Sequence, residues 1–381
     1  MYAEFAFCSY DLKENDNNNE ETMPDFKVVE DVGTGKGMLS CVQLINEEKY
    51  GGNVILKIPG SENTRERFLI DDNTFCKLHN SEVDAYTFLQ KHTEKNILFP
   101  KIYELEKMDV TVEPIKQGHI IMEHLKGMTH LYCHDALRPE DLVEPVKNLA
   151  RFHSIGAELT EEEGKNVVRD FLESWFSKLF TQANKDYFIG NLSKTAEWMN
   201  SEAAKEAIGE LDGILSPENF QKLNDDCQLT GVREVLCHGD YSFHNLLFEK
   251  LSDGSYKFRA IIDFQSVNWG NAGQDLSRLF VTALNGKDRR DSEERLLRIY
   301  HDELTKVSKG EVPFTWEQLQ DSYKRFFQLH AAILCAVTPG LFFMTFDAME
   351  EGPEKNEFRD KMVEKYVALL EDIHRNIKEG Y

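Results

Sequence analysis

Apolar positions along the chain follow two different periods. Up to about residue 125 they come in short strand-like runs: FKVVEDVGTGKGMLSCVQLI (26–45) contains two, NVILKIP (53–59) is another and HIIMEHL (119–125) a fourth. Between the last two, Ser81 reads as a helix cap with Asp84 three residues on, followed by Val83, Tyr86 and Leu89 at helical spacing. Beyond residue 125 the period lengthens. Leu142, Val146, Leu149 and His153 mark one amphipathic stripe, and 167–208 has Gly190 as its one breaker. Further helices are predicted near 287–308, 316–337 and 354–378, the last opened by Pro353 and stopped by Gly380. The pattern predicts an α+β fold of two unequal lobes. Residues 1–26 are expected to form a partly mobile segment, because DLKENDNNNEE (11–21) is polar and Asn-rich. Residues 27–125 then form a small lobe of mostly antiparallel sheet with one main helix, and 126–381 a larger, mainly helical lobe. The chain shows no internal repeat.

Candidate chemistry concentrates in HGDYSFHNLLFE (238–249) and AIIDFQ (260–265). Asp-Gly at 253–254, flanked by two strand-like runs, predicts a hairpin. Asn245 and Asp263 lie at about equal distances from that turn, so the hairpin should bring them together at its open end. Alternation along the second strand puts Tyr256, Phe258, Ala260, Ile262 and Phe264 on one face and Asp263 on the other. Asp240, Asn245 and Asp263 then supply what phosphoryl transfer needs. Asp240 would orient and deprotonate a hydroxyl, while Asn245 and Asp263 offer the hard oxygen ligands that magnesium prefers. A lone Asp at a strand end is usually a turn residue; three polar groups around one hairpin are harder to read that way.

The first lobe supplies a nucleotide site to match. Gly33, Gly35 and Gly37 stand between two strand-like runs, the setting of a loop that closes over phosphates, although a plain hairpin turn reads the same. Lys57 sits among Val54, Ile55, Leu56 and Ile58, where its charge needs a partner. ATP phosphates and the carboxylate of Glu82 would provide one, as in the strand-lysine to helix-glutamate pair of kinases. The alternative is that Glu82 only offsets a helix dipole. Glu123 and Leu125, where HIIMEHL breaks into a polar loop, are the candidates for backbone contact with adenine.

In this order the elements resemble the choline-kinase and aminoglycoside-phosphotransferase-like superfamily. Within it they are most similar to the CHK-kinase-like or ecdysteroid-kinase-like group of insects and nematodes. HGDYSFHNLLFE matches the catalytic loop of that group and IIDFQ its metal-binding Asp. NWGNAGQDLSRLF (268–280) and KDRRDSEERLLRIYHDEL (287–304) are similar to the segments that follow in nematode members. The resemblance implies a two-lobed, protein-kinase-like fold and ATP-dependent phosphorylation of a small-molecule hydroxyl. Many relatives have Leu-Trp after the catalytic Asp; here Tyr241 and Ser242 follow, and His244 precedes Asn245, which weakens any substrate inference by analogy. A catalytically silent nucleotide- or partner-binding pseudokinase remains the alternative.

Composition narrows the reading further. Only eleven residues separate Asp263 from Asp275 and no Ala-Pro-Glu segment follows, so no regulated activation loop for protein substrates is expected. Asp275 is expected to cap a helix and anchor the catalytic loop. A net charge of −23 disfavours nucleic acid and gives a cationic acceptor some advantage. No apolar run is read as spanning a bilayer and no leader is recognised. The seven scattered cysteines suit a reducing, cytoplasmic setting. No obligate protein partner is evident. Trp175, Trp198, Trp269 and Trp316 are read as packing residues ahead of an aromatic cage.

Overall fold

The computed structural model describes residues 28–31, 40–60, 71–129, 131–132 and 134–381. The glycine loop with Gly33, Gly35 and Gly37, and the polar stretch 11–21, lie outside the described residues. The first part of the chain forms a five-stranded antiparallel sheet. Its strands are β1 (Val28–Asp31), β2 (Ser40–Glu47), β3 (Gly52–Pro59), β4 (Ile102–Glu106) and β5 (His119–Glu123), in the order β1-β2-β3-β5-β4. Lys57 lies on the central strand, opposite Val42 on one side and Ile120 on the other. Val54 and Leu56 pack with Ile45 and Ile121 on one face of the sheet, so the alternation of β3 turns Lys57 to the opposite face.

Helix α1 (Asp72–Lys91) covers that opposite face. It starts nine residues before the Ser81 cap expected from the sequence, because Asp71 takes the N-cap position and its side chain accepts from the Thr74 amide at 2.9 Å. Glu82 therefore sits in mid-helix, away from the dipole end, among buried His79, Val83, Tyr86 and Leu89.

The rest of the chain is mainly helical, and the two parts together make the two-lobed α+β fold. Helix α2 (Val143–Ile155) buries the expected stripe of Leu142, Val146, Leu149 and His153. The stretch 167–208 breaks into α3 (Phe171–Leu179), α4 (Gln182–Thr195) and α5 (Glu202–Ile208). Strand β6 (Val235–Cys237) leads into the loop 238–245, β7 (Leu246–Lys250) and β8 (Tyr256–Ile261) form the hairpin, and β9 (Asn268–Gly270) returns to pair with β6. Helix α6 (Ala272–Ala283) is buried along its whole length. Helices α7 (Gly286–Val307), α8 (Trp316–Ala348) and α9 (Pro353–Glu379) pack around it. The crossing of α6 and α8 needs Gly273, since a Cβ there would stand 2.7 Å from the Ser322 backbone.

Helix α8 departs from expectation in length. It continues through Pro339 to Ala348, where a stop had been read near 337. Pro339 is buried, and the surrounding packing outweighs the lost backbone bond that normally ends a helix at proline. The full helix is long and apolar enough to cross a membrane, against the expectation that no stretch would be. Of its most apolar window, 67% is buried inside the protein, as in a core helix. The four tryptophans are half-buried and packed against the core: Trp198 lies against Phe342, Phe343 and Phe346, and Trp316 under Arg298.

Candidate active site

Lys57 is 8% exposed and Glu82 1%, a burial that each survives through the other. The Lys57 ammonium donates to Glu82 at 2.8 Å and to Asp263 at 2.7 Å. Burial alone would lower the Lys57 pKa, but the Asp263 and Glu82 charges outweigh it and raise the value above normal. One cation shared by two carboxylates cannot serve both equally. Burial pushes Glu82 up and the Asp263 charge adds to this, with Lys57 only partly offsetting them. At Asp263 burial also pushes upward, but Lys57 prevails and the net shift is downward. Asp263 is thus the firmly ionised member.

Asp263 reaches this position by a route that the strand pattern did not predict. Strand β8 ends at Ile261, and Asp263 follows in the left-handed region at φ 68°. Its direction comes from this turn, not from alternation along the strand. The hairpin pairs Leu246 with Ile261, with a register shift between Leu247 and Phe248, and the Ile262 amide donates to the Asn245 carbonyl at 3.0 Å. The aromatic residue after Asp263 ties the lobes together. Phe264 packs between Tyr86 of α1, at 5.1 Å between ring centroids, and His238 of the catalytic loop, at 4.8 Å.

The catalytic loop is held from several directions. His238 donates through Nε2 to the Ile262 carbonyl at 3.1 Å and accepts at Nδ1 from the Asp240 amide at 3.2 Å, an arrangement that fixes its tautomer. Burial lowers its pKa and keeps the ring neutral. Gly239 has φ 79°, and a Cβ there would meet the Ser266 carbonyl at 2.2 Å. Asp275 anchors the loop as expected: its carboxylate accepts from the His238 amide at 2.6 Å and the Gly239 amide at 2.9 Å. It is not the helix cap, however. Asn271 occupies that position, accepting from the Gly273 amide at 3.0 Å.

Asp240 is 4% exposed, and one of its carboxylate oxygens accepts from the Asn245 amide nitrogen at 2.9 Å. A second bond from that nitrogen, to the Asp240 carbonyl at 2.9 Å, locks the amide and leaves its oxygen as the remaining acceptor. The other Asp240 oxygen forms an ion pair with Arg278 of α6. Sequence reasoning missed Arg278, whose one available signal was a cation three residues after Asp275 on the same helix.

The amide oxygen of Asn245 and the carboxylate of Asp263 form a hard donor set of the kind magnesium or calcium takes. A different trio, His153, Cys237 and Asp275, has ligand atoms within 4.8 Å of one another. Its hydrogen bonds are already committed: His153 bonds Tyr300 at 2.6 Å and Asp275 at 3.0 Å, while Asp275 also holds the loop amides.

Glu123 ends β5 beside β3, and its amide donates to the Lys101 carbonyl at 2.8 Å. Leu125 follows, half-buried, in the connection to the second lobe. Tyr241 is fully buried and donates its hydroxyl to the Pro145 carbonyl at 2.8 Å, so it braces the loop against α2. His244 is half-buried and stacks on Phe243 at 3.9 Å.

Comparison with known proteins places the chain. The profile of the family DUF1679, described as "Uncharacterized oxidoreductase dhs-27", matches residues 61–379. The "Uncharacterized kinase-like protein D1044.1" of Caenorhabditis elegans is 24% identical over 237 residues, covering 61% of this chain and 60% of that protein. The "Uncharacterized oxidoreductase dhs-27" of the same organism is 24% identical over 265 residues, covering 66% of this chain. This chain spans 30% of the dhs-27 length, so the oxidoreductase name belongs to a much longer protein. Among solved structures, the Plasmodium vivax ethanolamine kinase Pv091845 is similar at a TM-score of 0.41 and 17% identity, over 88% of this chain and 80% of that one. With the family profile matching most of its length, the chain belongs to the DUF1679 family.

Proposed function

We propose that this chain is an ATP- and magnesium-dependent phosphotransferase acting on a hydroxyl of a small molecule. The carrying observation is that Lys57 joins Glu82 and Asp263 while Asn245 holds Asp240, on a hairpin that pairs the Asn245 carbonyl with the amide of Ile262, the residue before Asp263. The sequence resemblance and the kinase-like relative support the same reading. Asp240 orients the acceptor hydroxyl and takes its proton. Lys57 neutralises phosphate charge and Glu82 keeps Lys57 in place. Asn245 and Asp263 would hold the divalent cation, which supplies charge neutralisation to the phosphates when bound. Leu125 and the Glu123 carbonyl would offer the backbone contacts to adenine.

Steroid alcohols, choline-like amines and xenobiotic metabolites all fall within the acceptor class. We place the chain in a reducing, cytoplasmic setting, which the seven scattered cysteines of the sequence suit. Calorimetry tests the nucleotide half of this proposal. AMP-PNP should bind the wild-type chain more tightly with magnesium than without, and Asp263→Ala should remove that difference. An undiminished magnesium dependence in Asp263→Ala would take the metal away from Asp263.

A further inference from the structure

Helix α6 meets the catalytic loop with two opposite charges one turn apart. Asp275 takes the backbone amides of His238 and Gly239, and Arg278, three residues on, takes the side chain of Asp240. Both groups are almost wholly buried, with Arg278 3% exposed. Burial pulls the Arg278 pKa down to about 9, a measure of how poorly this site hosts a cation. A buried ion pair contributes little to stability relative to an apolar side chain of the same volume. Its presence therefore asks for another explanation, and the geometry offers one. Asn245 holds one Asp240 oxygen and Arg278 the other, so the carboxylate is fixed at both ends.

We propose that Arg278 is a positioning residue, whose guanidinium fixes the angle at which the Asp240 carboxylate meets the acceptor hydroxyl. The functional meaning of this rests on the phosphotransfer reading above. The placement of Asp240 by Arg278 can be tested without it. In physical terms, α6 acts as a template: Asp275 sets the height of the loop backbone and Arg278 the rotation of the one side chain that must face the acceptor. A carboxylate free to turn would spend most of its time away from the reactive angle, and misplacement of about 1 Å in such a group costs on the order of 100-fold in rate.

The experiment uses the full chain with Arg278→Ala and Arg278→Lys. Each variant should bind AMP-PNP with magnesium within about threefold of wild type, since Arg278 pairs with Asp240 while the Lys57 ammonium is held by Glu82 and Asp263. With water as acceptor, ADP release from magnesium-ATP should fall about 100-fold in Arg278→Ala and recover about tenfold with millimolar guanidinium, which refills the vacated space. A crystal structure of Arg278→Ala should show the Asp240 carboxylate rotated, and rotated back in guanidinium. The proposal is overturned by an unmoved Asp240, or by ADP release near the wild-type rate. It is equally overturned by a loss that guanidinium does not relieve and that nucleotide affinity shares. If Arg278→Ala does not fold, Arg278→Lys decides: a lower kcat at unchanged KM for ATP supports positioning, and a raised KM at unchanged kcat contradicts it. A wild-type chain that releases no ADP counts against phosphotransfer and leaves the crystal structures to decide the placement of Asp240.

Discussion

The Lys57 ammonium lies 2.7 Å from the Asp263 carboxylate, across 206 positions of sequence, and so joins the central strand of the first lobe to the turn that follows the hairpin of the second. This contact occupies the carboxylate that a divalent cation would need. A divalent cation bound by Asp263 alone would compete with the ammonium, whereas with nucleotide present the phosphates would give Lys57 another partner. Lys57→Met should accordingly raise the affinity for Mn²⁺ alone, read by electron paramagnetic resonance, by about tenfold, while lowering affinity for the metal-nucleotide complex. Unchanged Mn²⁺ affinity would mean that the pair does not gate the metal.

Asp275 carries a second prediction. Its carboxylate accepts two loop amides and a histidine in a fully buried setting. Asp275→Asn keeps the shape but places an amide group among those donors, and should cost about 3 kcal/mol in denaturant unfolding. Turnover should fall with it through displacement of Asp240. A variant of wild-type stability would show that the loop is held by other means.

How much of this site was legible in the sequence depends on the range of the interaction. The approach of Asn245 to the turn that carries Asp263 was legible because one hairpin with a clear Asp-Gly turn joins them. Lys57 was legible because a cation inside an apolar strand needs a partner. Arg278 was not, since its meaning appears only when α6 crosses the loop. The direction of Asp263 was misread because a left-handed turn intervenes, and strand alternation carries no information past Ile261. The start of α1 was misplaced because Ser81 with Asp84 imitates a cap that Asp71 already provides. The end of α8 was misplaced because Pro339 reads as a stop, and only tertiary packing overrides it.

Tyr241, the departure from many relatives inside the catalytic motif, is predicted to act on stability. Its hydroxyl bonds the Pro145 carbonyl from a fully buried position. Tyr241→Phe should lose about 1 kcal/mol in denaturant unfolding and retain near wild-type turnover. A change of acceptor preference in this variant would contradict the bracing role.

Stability should also fall in acid through His79. Burial lowers its pKa from 6.5 to about 4, while the bond to the Glu106 carbonyl offsets this only in part. The unfolded chain therefore takes up a proton below about pH 6.5 that the folded chain refuses, and stability drops as pH falls from there toward 4. His238 and His330, also kept neutral by burial, act in the same direction. His79→Gln, which can still donate to the Glu106 carbonyl, should reduce the loss between pH 6.5 and about 4 by about 3 kcal/mol. Denaturant unfolding at a series of pH values checks this, and parallel curves for variant and wild type would remove His79 from the account.

Asp240 is proposed to take the proton of a small-molecule hydroxyl as phosphate is transferred to that oxygen. The most direct test is incubation of the chain with magnesium, γ-labelled ATP and a whole metabolite extract, followed by mass-spectrometric detection of labelled products, with Asp240→Asn alongside. The account predicts at least one labelled small-molecule phosphate with the wild-type chain and none with Asp240→Asn, although both bind AMP-PNP with magnesium equally well. Equal labelling by the two proteins, or nucleotide binding with no labelled product from either, would contradict it.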